Sequence, residues 1–304
     1  VTTPTASGKI DNSMLGIMLM LGAYVFFSFV DASAKWLALA GIVSFQAAFM
    51  RYFGAFIISL GIISKDGISA DIFVTERFGL VFLRALLLAG STIGNFISVA
   101  YLPLTLTSTI MFSAPIVICA LSGPLLGEKV GIWRWGAIFC GFIGILVAIR
   151  PFGESFHWAV YSSLFSAICF AFYTIITRKL AGEVATQTLQ LYSGLVGTVI
   201  LLPLAIWYWV TPADLTQWLL LIGLGFFAWF GHELMTRAHT FAPASTLTPF
   251  TYTFILYLTA WSYFLFDRAP DFWTIVGAGI IIGAGLVIWF REKSKSKILK
   301  ASAL

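Results

Sequence analysis

The stretch GHELMTRAH, Gly231 to His239, gathers four residues able to do chemistry, and the first chemistry to test is metal binding. In a zinc hydrolase two His four residues apart share one helix face and one ion, with a Glu beside the first as general base. Here the fourth residue after His232 is Thr236, and the next His, His239, is seven residues away. Two helical turns set the two rings about 10 Å apart along the axis, against Zn–N bonds of about 2.0–2.1 Å. No metal, cofactor or catalytic residue is therefore assigned. Two readings of the stretch stay open. Glu233 and Arg237 are spaced i,i+4 in the favourable acid-before-base order, so Arg237 neutralises Glu233 near a helix end; or His232 and Glu233 contact a solute or exchange a proton at an inner mouth. Proton coupling is an open question at this point.

The elements that must position these residues follow from composition. The chain has 304 residues, 60% hydrophobic and 10% charged, with a mean hydropathy of +0.95; soluble domains carry about 25% charge. Crossing roughly 30 Å of hydrocarbon takes about 20 predominantly apolar residues. Ten such runs are expected, near 14–33, 44–63, 80–101, 104–126, 132–149, 157–177, 187–209, 216–238, 244–265 and 272–290. The fold class expected is an all-α membrane protein. The first twelve residues show no basic region ahead of a cleavable apolar core, so no signal peptide is expected. Cys119, Cys140 and Cys169 lie inside apolar spans, which suggests neither a disulfide framework nor a Cys zinc site.

Placing the N-terminus in the cytoplasm puts fourteen of the eighteen Lys and Arg on the inner side, Arg84 among them, and leaves Lys35, Arg150 and Arg268 outside. Positive charge inside thus predicts cytoplasmic termini. Most of the eleven Trp lie near span ends, as an interfacial belt requires, with Trp229 deep in a span. No basic stripe with interleaved aromatics lies outside the spans, so nucleic acid is not an expected partner.

Polar residues within a spanning helix face protein or water. Steps of three and four set Tyr24, Ser28, Asp31 and Lys35 on one face of span one, Ser91, Asn95 and Ser98 on span three, and Thr109 and Ser113 on span four. Ser162, Ser166, Cys169, Tyr173 and Thr177 mark span six, Trp229, His232, Glu233 and Thr236 span eight, and Thr248, Thr251 and Tyr252 span nine. Each Ser or Thr taken alone can bond its own helix or glue neighbours; six stripes together predict a shared polar cavity. Its expected lining is Tyr24, Ser28, Asn95, Ser113, Ser166, Phe170, Tyr173, Trp229, His232, Glu233, Thr251 and Tyr252. Fixed cations near mid-membrane look scarce, which argues against phosphorylated cargo and for a small zwitterion with its ammonium over aromatic faces. Asp31, Lys35 and Arg51 read as a structural charge cluster or an outer gate, and Gly279 and Gly283 as a close helix contact within the chain.

The chain also repeats itself. FVDASAKWLA matches TIITRKLAG; the segment from AYLPLTLTSTIMFSAP to GEK matches that from HTFAPASTLTPFTYTF to FDR; and WGAIFCGFIGILVAIRP matches IVGAGIIIGAGLVIWFRE. Residues 1–150 and 151–304 are expected to be two five-helix units, and five being odd, the second enters the bilayer inverted. With FMRYFGA in span two, Pro115 within span four as a helix bend, GEK closing that span and a glycine-rich fifth span, the chain resembles the EamA-type drug/metabolite transporter superfamily, most of all the YddG-type bacterial amino-acid exporters. The second half departs from this pattern: Phe254 stands opposite Pro115, and Asp267 opposite the Glu of GEK. The resemblance implies two inverted repeats around a central cavity of spans one, three, four, six, eight and nine, in a bacterial inner membrane. It also implies export of neutral or aromatic amino acids or related metabolites by alternating access, with multidrug or other metabolite efflux as the rival and no enzymatic step. The partners it implies are the small-molecule cargo and the lipid bilayer.

Overall fold

The computed structural model describes residues 13–66, 75–114, 116–118, 121, 132–150, 156–180, 183–241, 247, 250 and 252–301. Their regular structure is helical: α1 (Ser13–Leu39), α2 (Ser44–Asp66), α3 (Phe78–Tyr101), α4 (Leu104–Met111), α5 (Ile132–Ile149), α6 (Ala159–Leu180), α7 (Thr186–Trp207), α8 (Leu215–Phe241), α9 (Thr253–Phe266) and α10 (Phe272–Ala301). Apolar runs of this length satisfy their backbone in hydrocarbon only by coiling into helix. Among the described residues six helices are long and apolar enough to cross a membrane: α1, α2, α3, α6, α7 and α8. Of the other four expected spans, the fourth contains α4, Leu104–Met111, and the rest contain shorter apolar helices, Phe139–Ala148, Thr253–Phe266 and Phe272–Ala284. Pro115, Thr248 and Thr251 lie outside the described residues, and with them the expected bend in span four.

Sharp reversals join successive helices. Gly41, at φ 89°, ends α1 in the left-handed conformation, and its neighbours return Ile42 N–H to Leu37 O at 2.9 Å, as a glycine-capped helix end does. Pro103 opens α4 where no intrahelical donor is needed.

Helix contacts run between the first and second halves of the chain: α1 packs on α8, α3 on α6, α2 on α7 and α8, α4 on α9, and α5 on α10. Glycines set the closest approaches. A Cβ on Gly225 would lie 2.6 Å from the Gly54 Cα, and one on Gly277 2.6 Å from the Gly144 carbonyl oxygen. The expected Gly279–Gly283 contact is corrected here: both are exposed and a Cβ on either meets nothing within 4 Å. The face of α10 that meets α5 is displaced by two residues and runs through Gly277 and Ile281. Large apolar side chains such as Phe139, Phe142, Ile206, Phe264 and Ile275 stay exposed on the bundle's outside, as lipid-facing positions do.

Candidate functional site

α3 is the hub of the buried polar residues. Its heptad-like steps carry Arg84, Ser91, Thr92, Asn95 and Ser98, four of them buried and Asn95 half-buried, so side chains from α1, α2, α6, α7 and α8 meet along one helix.

Three layers result. Nearest the Phe78 end, Arg84 is 6% exposed. Its Nε donates to Thr177 Oγ1 at 2.8 Å, Nη1 to Ser193 Oγ at 2.8 Å and Leu189 O at 3.1 Å, and Nη2 to Tyr173 Oη at 2.9 Å. The guanidinium carbon also lies 4.6 Å from the Tyr173 ring centroid. One fork thus ties α3 to α6 and α7.

In the second layer Arg51 of α2 donates to Thr92 Oγ1 at 2.9 Å and lies 3.3 Å from His232 Nε2. Arginine only donates, so His232 Nε2 accepts and its proton sits on Nδ1. Tyr52 Oη shares Thr92 Oγ1 at 2.7 Å, and the Arg51 guanidinium lies 4.8 Å from the Tyr52 ring centroid. Among the described residues no carboxylate lies within 4.0 Å of either arginine's nitrogens.

In the third layer Asp31 of α1, 8% exposed, accepts from Asn95 Nδ2 at 2.8 Å. Asn95 Oδ1 is buried without a hydrogen-bond partner. One turn on, Lys35 Nζ donates to Val99 O and Leu102 O, each at 2.9 Å, and so caps the end of α3.

An aromatic wall flanks the second layer. Phe27 meets His232 edge-on, with centroids 4.9 Å apart; Tyr24 meets Phe27 at 6.0 Å and Phe254 at 5.7 Å; and Tyr252 meets Phe112 at 5.3 Å.

Of the expected lining residues, Asn95, Tyr173 and His232 belong to these layers, and Tyr24 and Tyr252 to the aromatic wall. Phe170 lies beside Tyr173, centroids 5.7 Å apart, and Trp229 is half-buried on α8. Ser113 is buried just past α4. Ser28 and Ser166 are taken up in helix packing: Ser28 Oγ donates to Val25 O and accepts from Trp261 Nε1 at 2.9 Å, while Ser166 Oγ donates to Ser91 O at 2.7 Å. Glu233 accepts from Arg237 Nε at 2.8 Å, the pairing that the i,i+4 spacing predicts.

Two expectations change. Asp31, Lys35 and Arg51 do not pair with one another among the described residues; each bonds a different group along α3. Buried cations are not scarce either, since Arg51 and Arg84 are both buried within the bundle, and the argument from scarce cations against phosphorylated cargo falls with that. Arg84, Thr92, Tyr52 and Ser193 were the residues that sequence reasoning missed. The signal for Arg84 was its place seven residues before Ser91, on the polar face of an apolar run.

The sequence pattern of the EamA-like transporter family matches this chain twice, over residues 14–150 and 157–290. Among curated proteins the chain is similar to an S-adenosylmethionine uptake transporter of Rickettsia prowazekii (strain Madrid E), 30% identical, covering 91% of this chain and 93% of that one. It is also similar to a riboflavin transporter of Vibrio cholerae serotype O1, 29% identical over 93% and 95% of the two chains. A pseudopaline exporter of Pseudomonas aeruginosa (strain UCBPP-PA14) is 25% identical over 91% and 97%. One crystal structure superposes with a TM-score of 0.65 at 14% identity, covering 90% of this chain and 96% of that one, a likeness of fold alone. A multi-pass helical bundle with buried polar layers, matched twice by one transporter pattern, defines a membrane carrier of small molecules rather than an enzyme. The chain belongs to the EamA-like transporter family.

Proposed function

We propose that this protein moves metabolites bearing an amino-acid headgroup across a bacterial inner membrane by alternating access, with ten spans arranged as two inverted repeats and both termini in the cytoplasm. The observation that carries the proposal is Arg51. Its guanidinium is buried between α2, α3 and α8, held by the neutral Thr92 and His232. A cation so placed in a membrane is costly, and a cargo carboxylate, bound in the bidentate manner that guanidinium favours, offsets that cost. The aromatic wall of Tyr24, Phe27, Phe254 and Tyr252 receives the rest of the cargo.

S-adenosylmethionine, named for the Rickettsia relative, combines such a headgroup with a flat base, and is the first cargo to try; neutral and aromatic amino acids come next. Uptake is the direction to test first. Export of amino acids or other metabolites is the second reading, supported by the likeness to the pseudopaline exporter. The test is flux of labelled S-adenosylmethionine, amino acids and riboflavin in proteoliposomes holding the full chain. Saturable flux of a headgroup-bearing cargo, cut at least about tenfold by Arg51→Gln, is expected. Flux of riboflavin alone, indifferent to Arg51→Gln, would overturn the reading.

A further inference from the structure

We propose that Asp31 and Asn95 form the ammonium half of the cargo site, so that the protein selects zwitterions by holding both of their charges. The inference rests on the function proposed above and deepens it at the same site.

The geometry is set by α3. Thr92, which holds Arg51, and Asn95, which holds Asp31, are three residues apart on one helix face, about 4.5 Å along the axis. A guanidinium and a carboxylate are thus anchored one turn apart by neutral side chains. They form no ion pair within 4.0 Å among the described residues. Two opposite charges this near, buried in apolar surroundings, ordinarily close on each other, because their attraction is strongest there. Here each is turned instead to a neutral partner on α3.

Asn95 adds an independent sign. Its amide nitrogen donates to Asp31, while its Oδ1 is buried without any donor. A buried acceptor left unmade costs about 1–3 kcal/mol, so the site lacks a donor beside a carboxylate. An ammonium supplies three N–H donors and a positive charge: one donor for Asp31, one for Asn95 Oδ1. The carboxylate on the same α-carbon then faces Arg51. An α-amino acid spans the two anchors, whereas a plain amine or a plain acid satisfies one and leaves the other buried and unmatched. Discrimination of this kind, by polar groups left unpaired, is the strong form of specificity.

The test uses the purified full chain in detergent and reads ligand-induced protection against thermal unfolding. The probes are S-adenosylmethionine, its decarboxylated form, its deaminated 2-oxo form, and the neutral amino acids beside their deaminated acids. Wild type is expected to bind zwitterions at least about tenfold more tightly than either single-charge analogue. In Asp31→Asn the preference over the deaminated analogues should shrink to within about twofold, while the preference over decarboxylated analogues persists. Should Asp31→Asn fail to fold, Asn95→Ala carries the same test, with a loss of about threefold or more confined to ammonium-bearing probes. Zwitterion binding with unchanged discrimination in these variants overturns the ammonium assignment and leaves the proposed cargo class standing. A folded wild type that binds no zwitterion at all removes both.

Discussion

Arg84 shows what a buried charge does when its surroundings are complete. All three of its nitrogens have partners, spread over α6 and α7, and its plane rests on Tyr173. Lysine offers three donors from one point and cannot reproduce that fork. Arg84→Lys is therefore expected to lower stability more than Tyr173→Phe, which removes one hydroxyl and costs about 1–2 kcal/mol; thermal unfolding in detergent ranks them. Equal unfolding temperatures for the two variants would mean that the fork does not hold α3 to α6 and α7. The Glu233–Arg237 pair is the opposite case, with the two side chains 24% and 65% exposed. Glu233→Gln should change stability by less than about 1 kcal/mol, and a larger loss would show that the pair is not solvated. At this scale the sequence was informative about which residues are polar and which face they share, so Asn95, Tyr173 and His232 could be picked out. It was silent on partners. Spacing along α3 could not show that Arg84 reaches across to Ser193, 109 residues away, nor that Arg51 and His232 meet across 181 residues.

Helices were legible because lipid leaves the backbone one solution, and a run of apolar residues betrays it. Their contacts were less so. The sequence shows glycines in α10 at 277, 279, 283 and 285 without saying which pair turns inward, and the motif-shaped pair is the exposed one. The direct check is a matched set of substitutions. Gly225→Ala puts a methyl 2.6 Å from the Gly54 Cα, where backbone meets backbone and neither can rotate away, so α2 and α8 must separate at a cost of about 1–3 kcal/mol. Gly279→Ala and Gly283→Ala add a methyl in open space and should be neutral or slightly stabilising, since alanine is the better helix former. Destabilisation by the α10 changes would return that pair to the packing. The start of α10 carries its own signal. Asp271 Oδ1 accepts from Trp273 N–H at 3.0 Å and Thr274 N–H at 3.2 Å, an N-cap worth about 0.5–2 kcal/mol. Burial alone would raise this carboxyl, but the hydrogen bonds from Thr274 and Trp273 and the charge of Arg150 outweigh it and hold it below the ordinary range. A depressed carboxyl stabilises fully above its unfolded value of about 3.9 and loses that stabilisation as pH falls through the folded value. Asp271→Asn, which still caps but does not titrate, should flatten the acid limb of the unfolding curve; an unchanged limb would show that Asp271 takes no part in it.

For the whole molecule the question is which contacts must break for a carrier to change sides. Toward the Leu39 end of α1 the bundle is shut. Residues 30–35 are buried in succession, Lys35 ties α1 to the last carbonyls of α3, and Gln46 exchanges two hydrogen bonds with Val210, Nε2 to the carbonyl at 2.8 Å and Oε1 from the amide at 2.9 Å. Toward the other end Tyr24 to Phe27 are only half-buried. The alternating access proposed above requires two states of comparable free energy, and on that proposal the few polar bonds that close one end set the balance between them. Those bonds join elements distant in sequence, α1 to α3 and α2 to the connection between α7 and α8, which is why residue types alone marked Lys35 as a charge near a helix end and passed over Gln46. Removing them should open that end without unfolding the bundle, because the helix contacts around Gly54, Gly94 and Gly144 remain. In protein reconstituted after replacement of Cys119, Cys140 and Cys169 by Ser, a reporter Thr105→Cys, at a position only 2% exposed, reads the opening. With Lys35→Met and Gln46→Ala added, an impermeant maleimide supplied from the Leu39 side should label the reporter severalfold faster than in the background alone, and cargo should alter the rate. Labelling that stays as slow as in the background, in protein that still transports, would mean that these bonds brace the helices and that the gate lies elsewhere in the bundle.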